Sequence, residues 1–283
     1  MTDSAPSIDL TEAARRLGVH YMTAYRYVRL GRLAATRSRG RWWISPDDLA
    51  NVTPGPVRTR SRRRTNDVPR RGHPSRVYAS RLEDRLVAGD EPGAWAVVQA
   101  ALASGADPTQ VVLHTIGPAM RAIGDGWESG RLSVFDEHRA TAVAVRVLGR
   151  LGPLFRRPGR PGGTVLLAGV AGDPHALPVA LTADVLRGAG FAVIDLGSNT
   201  PVEAVVDAVV ATPALVAVGV SVSADGHATA ARRTAAAVRR ARPGTPVAMG
   251  GPAVPDLATA RSLGADLWAA DAGQFATVLR ELT

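Results

Sequence analysis

Apolar residues change their spacing twice along this chain of 283 residues, and the changes divide it into three parts. From about residue 159 onward, short apolar runs alternate with stretches of helical spacing: Val165–Val170, Ala192–Leu196, Leu215–Val222, Val247–Met249 and Asp266–Ala270 read as strands. After the first run, Val179, Leu181, Ala183, Val185 and Leu186 have helical spacing, Gly188-Ala189-Gly190 stops it, and Phe191-Ala192-Val193-Ile194 begins the next strand. Such alternation predicts a doubly wound α/β domain over residues 159–283, Rossmann-like and, if the strand order is flavodoxin-like, with one switch point at the carboxyl ends of its strands.

Residues 77–158 keep a helical period throughout, with helices expected at Val77–Ala88, Pro92–Ala103, Pro108–Ile123 and Val134–Leu151, a four-helix bundle. Asp107-Pro108, and Ser133 with Asp136 three residues on, are helix starts. Trp127 is then expected in the loop before the last helix, and Glu137-His138 in that helix's opening turns.

Residues 1–53 carry shorter elements. Ile8–Val19 reads as a capped amphipathic helix with Leu10, Ala13, Ala14 and Leu17 inward and Gly18 at its end. A second helix, Tyr21–Leu30, carries Thr23, Tyr25, Arg26 and Arg29 at polar positions that suit phosphate and base-edge contacts in a major groove. Leu33–Ile44 alternates around a glycine turn as a hairpin would, with Arg37, Arg39 and Arg41 at its tip, and Ser45-Pro46 opens a last helix. The order is that of a winged helix-turn-helix; the alternative is a small helical domain with a solvated basic face. Residues 54–76, rich in proline and arginine and poor in apolar residues, form a linker.

Composition narrows the chemistry. The chain has no cysteine, which excludes disulfides, thiolate nucleophiles and thiolate metal sites. All 34 basic residues are arginine, so a lysine-bearing phosphate loop and Schiff-base chemistry are excluded as well. The net charge of +9 is concentrated in the first quarter of the chain, which points to a polyanionic partner such as DNA. No apolar run reaches the roughly 20 residues of a membrane span, and no signal-peptide pattern opens the chain, so a cytoplasmic protein is expected.

Three polar or glycine clusters fall where strands end: Asp173 and His175 after the first, Ser221 and Ser223 at the third, Gly250-Gly251 after the fourth. Ligands bind at that edge of open parallel sheets. On residue types alone, Asp173 and His175 are either a ligand-binding pair or a loop pair capping a helix; a zinc site lacks a third ligand nearby.

The trio resembles the cobalamin-binding signature Asp-x-His-x-x-Gly, Ser-x-Ser, Gly-Gly, and Leu196-Gly197-Ser198-Asn199-Thr200-Pro201 resembles that family's segment after the second strand. Trp127, nine residues, then Glu137-His138 is similar to the tryptophan-x9-Glu-His motif of CarH-type photoreceptors. With a MerR-like helix-turn-helix in front, the whole order resembles the CarH and LitR-type, B12-dependent photoreceptor regulators.

The resemblance implies adenosylcobalamin between bundle and α/β domain, with His175 as lower axial ligand of cobalt, tuned by Asp173. It also implies a displaced dimethylbenzimidazole tail beside the small Ser221, Ser223, Gly250 and Gly251, with Trp127, Glu137 and His138 facing the adenosyl group. Light would break the cobalt–carbon bond and change the oligomeric state, a tetramer in the dark, and the affinity for a DNA operator; no enzymatic activity is implied. Pro178 stands where the signature has glycine, and Glu128 where some members have a cobalt-capturing histidine, a role for which His138 or His114 is the substitute. Two other readings are a corrinoid protein serving a methyltransferase, and a DNA-binding regulator whose sensor domain takes another ligand or none.

Overall fold

A computed structural model of the chain describes residues 7–19, 24–25, 27–28, 32–38, 41–52 and 74–283. Near the N-terminus these hold β1 (Ile8–Asp9), α1 (Leu10–Arg16), β2 (Thr36–Ser38), β3 (Arg41–Ile44) and α2 (Pro46–Ala50). The helix expected from Ile8 begins only at Leu10. Asp9 is extended and its carboxylate accepts the Glu12 N–H at 2.9 Å, an N-cap, so Ile8 and Asp9 are left to pair antiparallel with Ile44 and Trp43.

The hairpin is present, Arg37 opposite Trp42 and Ser38 opposite Arg41, and makes a three-stranded sheet of order β1-β3-β2. Ser45 caps α2 with Pro46 in its first turn. Ala24, Tyr25, Tyr27 and Val28 are helical, and Ala24 and Tyr27 are buried with Leu10, Ala13, Leu33 and Ile44. Thr23, Arg26, Arg29 and Arg39 lie outside the described residues, as does most of the expected linker.

The next helix, α3 (Pro74–Ala88), starts inside the segment expected to be linker, with proline in its first turn, where a missing N–H costs no hydrogen bond. It is followed by α4 (Glu91–Ala103), α5 (Pro108–Val111), α6 (Gly117–Glu128) and α7 (Val134–Leu151). A π-helical turn, Val112–Ile116, joins α5 to α6 into one rod.

That rod corrects the expectation for Trp127. The helix does not stop at Ile123 but runs to Glu128 and breaks at Gly130, which has φ +78°, so Trp127 is helical. Glycines 124 and 126 are tolerated inside it although each weakens a helix by about 1 kcal/mol. Gly126 is buried beneath Arg131, whose guanidinium would lie 2.5 Å from an added Cβ and would have to shift to make room for one.

The remaining chain is β4 (Thr164–Gly169), α8 (Leu177–Gly188), β5 (Ala192–Asp195), α9 (Val202–Ala211), β6 (Leu215–Ser221), α10 (Ala228–Ala241), β7 (Val247–Gly250), α11 (Leu257–Ser262), β8 (Leu267–Trp268) and α12 (Ala272–Glu281). The five strands pair in parallel in the order β5-β4-β6-β7-β8, the flavodoxin-like arrangement. Alternation along β4 feeds two cores. Leu166 and Ala168 pack with Val205, Ala235 and Leu263 beneath α9, α10 and α11, whereas Val165 and Leu167 pack with Ala183, Leu186 and Leu279 beneath α8 and α12.

The helical bundle is not separate from this sheet. Its core of Leu82, Leu86, Val98, Ile116, Ile123 and Leu151 continues into Leu177 and Val185 of α8 and Ala272 of α12. One continuous apolar layer therefore fixes α6 and α7 relative to the carboxyl edge of the sheet. Among the described residues no helix is long and apolar enough to cross a membrane.

Candidate functional site

The strand order reverses at β4, with β5 on one side and β6 on the other, and the loop leaving β4 carries Asp173 and His175. Asp173 is 1 % exposed and fully engaged. One carboxylate oxygen accepts the His175 N–H at 3.1 Å and contacts the ring Nδ1 at 2.6 Å; the other accepts the Ser223 N–H at 2.6 Å.

Burial pushes the Asp173 pKa up, but the hydrogen bonds from the His175 ring, the Ser223 N–H and the His175 N–H together outweigh it and bring it down to about 2. The His175 pKa is raised, chiefly by that same bond; burial opposes the rise, while the charges of Asp173 and Glu137 add to it. A carboxylate ionised at this level can only accept, so the ring proton belongs on Nδ1 and the neutral imidazole keeps its Nε2 lone pair. The His175 side chain is 54 % exposed, and Nε2 is the atom it can offer a metal.

The loop is shaped by its neighbours. Gly172 has φ +87°, and an added Cβ would come 3.3 Å from the His227 ring. Gly169 ends β4 where a Cβ would stand 2.9 Å from the Ser198 Cα, so the Gly197–Thr200 loop lies flat against the strand. Backbone bonds Gly169 N–H to Gly197 O and Thr200 N–H to Gly169 O, 2.7 and 2.9 Å, lock it there.

At the end of β6, Ser221 is half-buried and pairs with Gly250 of β7. Ser223 Oγ is buried and, among the described residues, has no hydrogen-bond partner. The two glycines that follow serve the backbone first: a Cβ on Gly250 would meet the Ala269 carbonyl at 2.8 Å, and Gly251, at φ +110°, would meet the Val222 carbonyl at 2.5 Å. Gly250 lets β7 lie close to the end of β8 and Gly251 lets it lie close to the end of β6, while the Ser223 N–H bond to Asp173 makes the Ser221–Ser223 segment and the Asp173 loop adjoining walls.

From the bundle, Glu137 and His138 occupy the first turns of α7, which starts in a capping box between Ser133 and Asp136. Glu137 is held by Thr141 Oγ1 at 2.9 Å and pairs with His138 Nδ1 at 2.6 Å, and its charge adds the smallest part of the rise in the His175 pKa. Trp127 is half-buried in the last turn of α6, beside an exposed Glu128. His114 is exposed on the π-helical turn. Pro178 is the second residue of α8, where a proline fits without loss; its carbonyl accepts the Thr182 hydroxyl at 2.8 Å.

The structure thus brings together Asp173, His175 and Ser223 by direct contact, whereas Glu137 contacts His138 and Thr141 at the start of α7. Arg37, Arg41 and Tyr25 lie apart in the N-terminal segment. One residue that the sequence reading placed in the Leu196–Pro201 segment without a role joins the site: Asn199, whose Oδ1 accepts the Gly172 N–H at 2.6 Å. Its signal was the residue type itself, since asparagine tolerates a left-handed backbone.

Residues 78–151 and residues 163–282 each match a family described as a B12 binding domain, and residues 8–51 match a helix-turn-helix domain. Trimethylamine corrinoid protein 2 of Methanosarcina acetivorans is 28 % identical over 131 residues, 45 % of this chain and 60 % of that protein. Trimethylamine corrinoid protein 1 of Methanosarcina mazei is 26 % identical over 131 residues, 45 % of this chain and 61 % of the other. The chain thus spans about three fifths of the length of these curated relatives. The structure of the Methanosarcina barkeri monomethylamine corrinoid protein superposes with a TM-score of 0.66 at 19 % identity, covering 74 % of this chain and all of that one, which establishes a common fold.

These matches support a B12-binding protein with a helix-turn-helix. The residues present fit a corrinoid. The Asp173-bonded imidazole is a suitable cobalt ligand, and the buried, partnerless Ser223 Oγ beside it is a polar atom left over for a bound group. Among the described residues no three His, Asp or Glu side chains gather as a metal site.

Proposed function

We propose that the chain is a cobalamin-dependent, light-responsive transcriptional regulator rather than an enzyme, binding DNA through its N-terminal segment. The observation that supports it most is the Asp173–His175 pair at the carboxyl edge of a sheet matched as a B12 binding domain, in a chain whose first 51 residues include a helix-turn-helix match.

In this reading His175 would hold the cobalt through Nε2, and Asp173 would hold Nδ1–H, fixing ring orientation and tautomer. Ser221, Ser223, Gly250 and Gly251 border the displaced dimethylbenzimidazole tail, with Ser223 Oγ free to bond it. Trp127, Glu137 and His138 cover the upper side. Bound adenosylcobalamin supplies a cobalt–carbon bond that green light breaks. Trp127, Glu137 and His138 would cover the adenosyl group when it is bound, and without it α6 and α7 would resettle against α8 and α12. The assembly, a homotetramer in the dark, then changes, and DNA affinity with it. Thr23, Tyr25, Arg26 and Arg29 serve the major groove, and Arg37, Arg39 and Arg41 the phosphates. The chain works in the cytoplasm, where DNA is reached.

The test uses a duplex selected by the protein from a random-sequence pool. Protein loaded with adenosylcobalamin in the dark is expected to shift the duplex, and green illumination to change that affinity at least tenfold. Equal affinity in both states rejects the light switch.

The curated relatives favour a second reading, a corrinoid carrier for a methyltransferase. That reading predicts cobalamin binding with no retention of any duplex, a result that would displace the first.

A further inference from the structure

We infer that Asn199 is a positioning residue for the Asp173–His175 pair, acting through the loop that carries it. The inference rests on the proposed role of His175 as a cobalt ligand. Asn199 has φ +49°, and it is the non-glycine residue with a left-handed backbone among the described residues. Such a conformation in an L-residue is unfavourable by roughly 1 kcal/mol and is kept where surrounding bonds demand it.

The bonds are specific. The Asn199 side-chain oxygen accepts the Gly172 N–H at 2.6 Å, and the Asn199 N–H donates to the Asp173 carbonyl at 2.9 Å. One residue therefore grips both ends of the Gly172–Asp173 unit, from a loop that is itself sewn to β4 by Gly169 and Thr200. The opposite flank is closed by His227, which lies where a Gly172 side chain would go. From there the restraint passes outward: Ser223 N–H and His175 N–H fix the Asp173 carboxylate, and the carboxylate fixes the His175 ring.

The left-handed turn is what lets one residue do both jobs. With an ordinary φ at 199, the side chain and the backbone N–H would leave in other directions and could not both meet the Gly172–Asp173 unit. Glycine at 199 would keep the turn and lose the side-chain acceptor; aspartate would keep both.

The test compares full-length Asn199→Gly and Asn199→Asp with the unaltered chain. In protein without cofactor, the downfield NMR resonance of the His175 Nδ1 proton, hydrogen-bonded to Asp173, is expected to weaken or vanish in Asn199→Gly and to return in Asn199→Asp. Exchange of the Gly172 amide is expected to quicken at least tenfold in the glycine variant alone. With adenosylcobalamin added, Asn199→Gly is expected to bind about tenfold more weakly and to shift its spectrum toward the form without histidine ligation, and Asn199→Asp to follow the unaltered chain. A glycine variant with unchanged proton resonance, exchange and spectrum overturns the positioning role. If the unaltered chain takes up no cobalamin, the His175 ligand reading fails, and the two measurements without cofactor still decide on Asn199.

Discussion

His175 Nδ1 lies 2.6 Å from an Asp173 carboxylate oxygen on the loop after β4, and this bond is the chief cause of the raised His175 pKa, to which the Glu137 charge at the start of α7 adds the smallest part. Glu137 is steadied by Thr141 and His138, and His175 by Asp173, so each is ordered by its own element. The shared apolar core of α8, α12 and the bundle sets the spacing between them.

Replacing Glu137 by glutamine removes the charge but keeps the acceptor. The His175 pKa, followed by NMR titration in protein without cofactor, is expected to fall modestly toward its ordinary value. No change would place Glu137 too far away to act on the site.

The Asp173–His175 pair makes stability pH-dependent in two directions. Asp173 is lowered to about 2 from an unfolded value near 3.9, so its contribution is complete above about pH 4 and is lost as the pH falls through about 2. His175 is raised, so its contribution is complete below about pH 6.5 and is lost as the pH rises through the folded value. Asp173→Asn is expected to flatten both limbs of a stability-against-pH curve measured by urea unfolding. Limbs as steep as those of the unaltered chain would assign the dependence to other groups.

Gly251→Ala tests the approach of β6 and β7. With φ +110° and a Cβ 2.5 Å from the Val222 carbonyl, the substitution is expected to destabilise the protein by about 2 kcal/mol or more, and thermal unfolding should move down by several degrees. A Tm within a degree of the unaltered chain would mean that the strand ends part without penalty.

Ser133→Ala removes the capping box that starts α7: Ser133 Oγ accepts the Asp136 N–H at 3.1 Å, and Asp136 accepts the Ser133 N–H at 3.0 Å. A loss of about 1 kcal/mol is expected by chemical denaturation. If Glu137 is placed by this cap, the same variant also weakens cobalamin binding, read by absorbance titration.

Much of this arrangement is legible in the residues. The parallel strands, their helices and the Asp173, His175 and Ser223 cluster follow from apolar periodicity and from polar residues at strand ends, because a buried strand leaves little choice of neighbour. Trp127 was expected in a loop after Ile123, and the helix instead continues through Gly124 and Gly126 to Glu128 before Gly130 turns the chain. Ile8 and Asp9 fall inside the helix expected from the apolar spacing, and the strand they form instead depends on Ile44 and Trp43, over thirty residues away. Asn199 was hidden for a similar reason: its role rests on a bond to Gly172, 27 residues earlier in the chain.

The most direct measurement is the absorption spectrum of the full-length protein and of His175→Ala, each equilibrated with adenosylcobalamin in the dark and freed of unbound cofactor. The account predicts one cobalt per chain and a histidine-ligated spectrum for the unaltered protein. For the variant it predicts binding at least tenfold weaker, with whatever is retained lacking that ligation. A His175→Ala protein with the same cobalt content and an unchanged spectrum would contradict it.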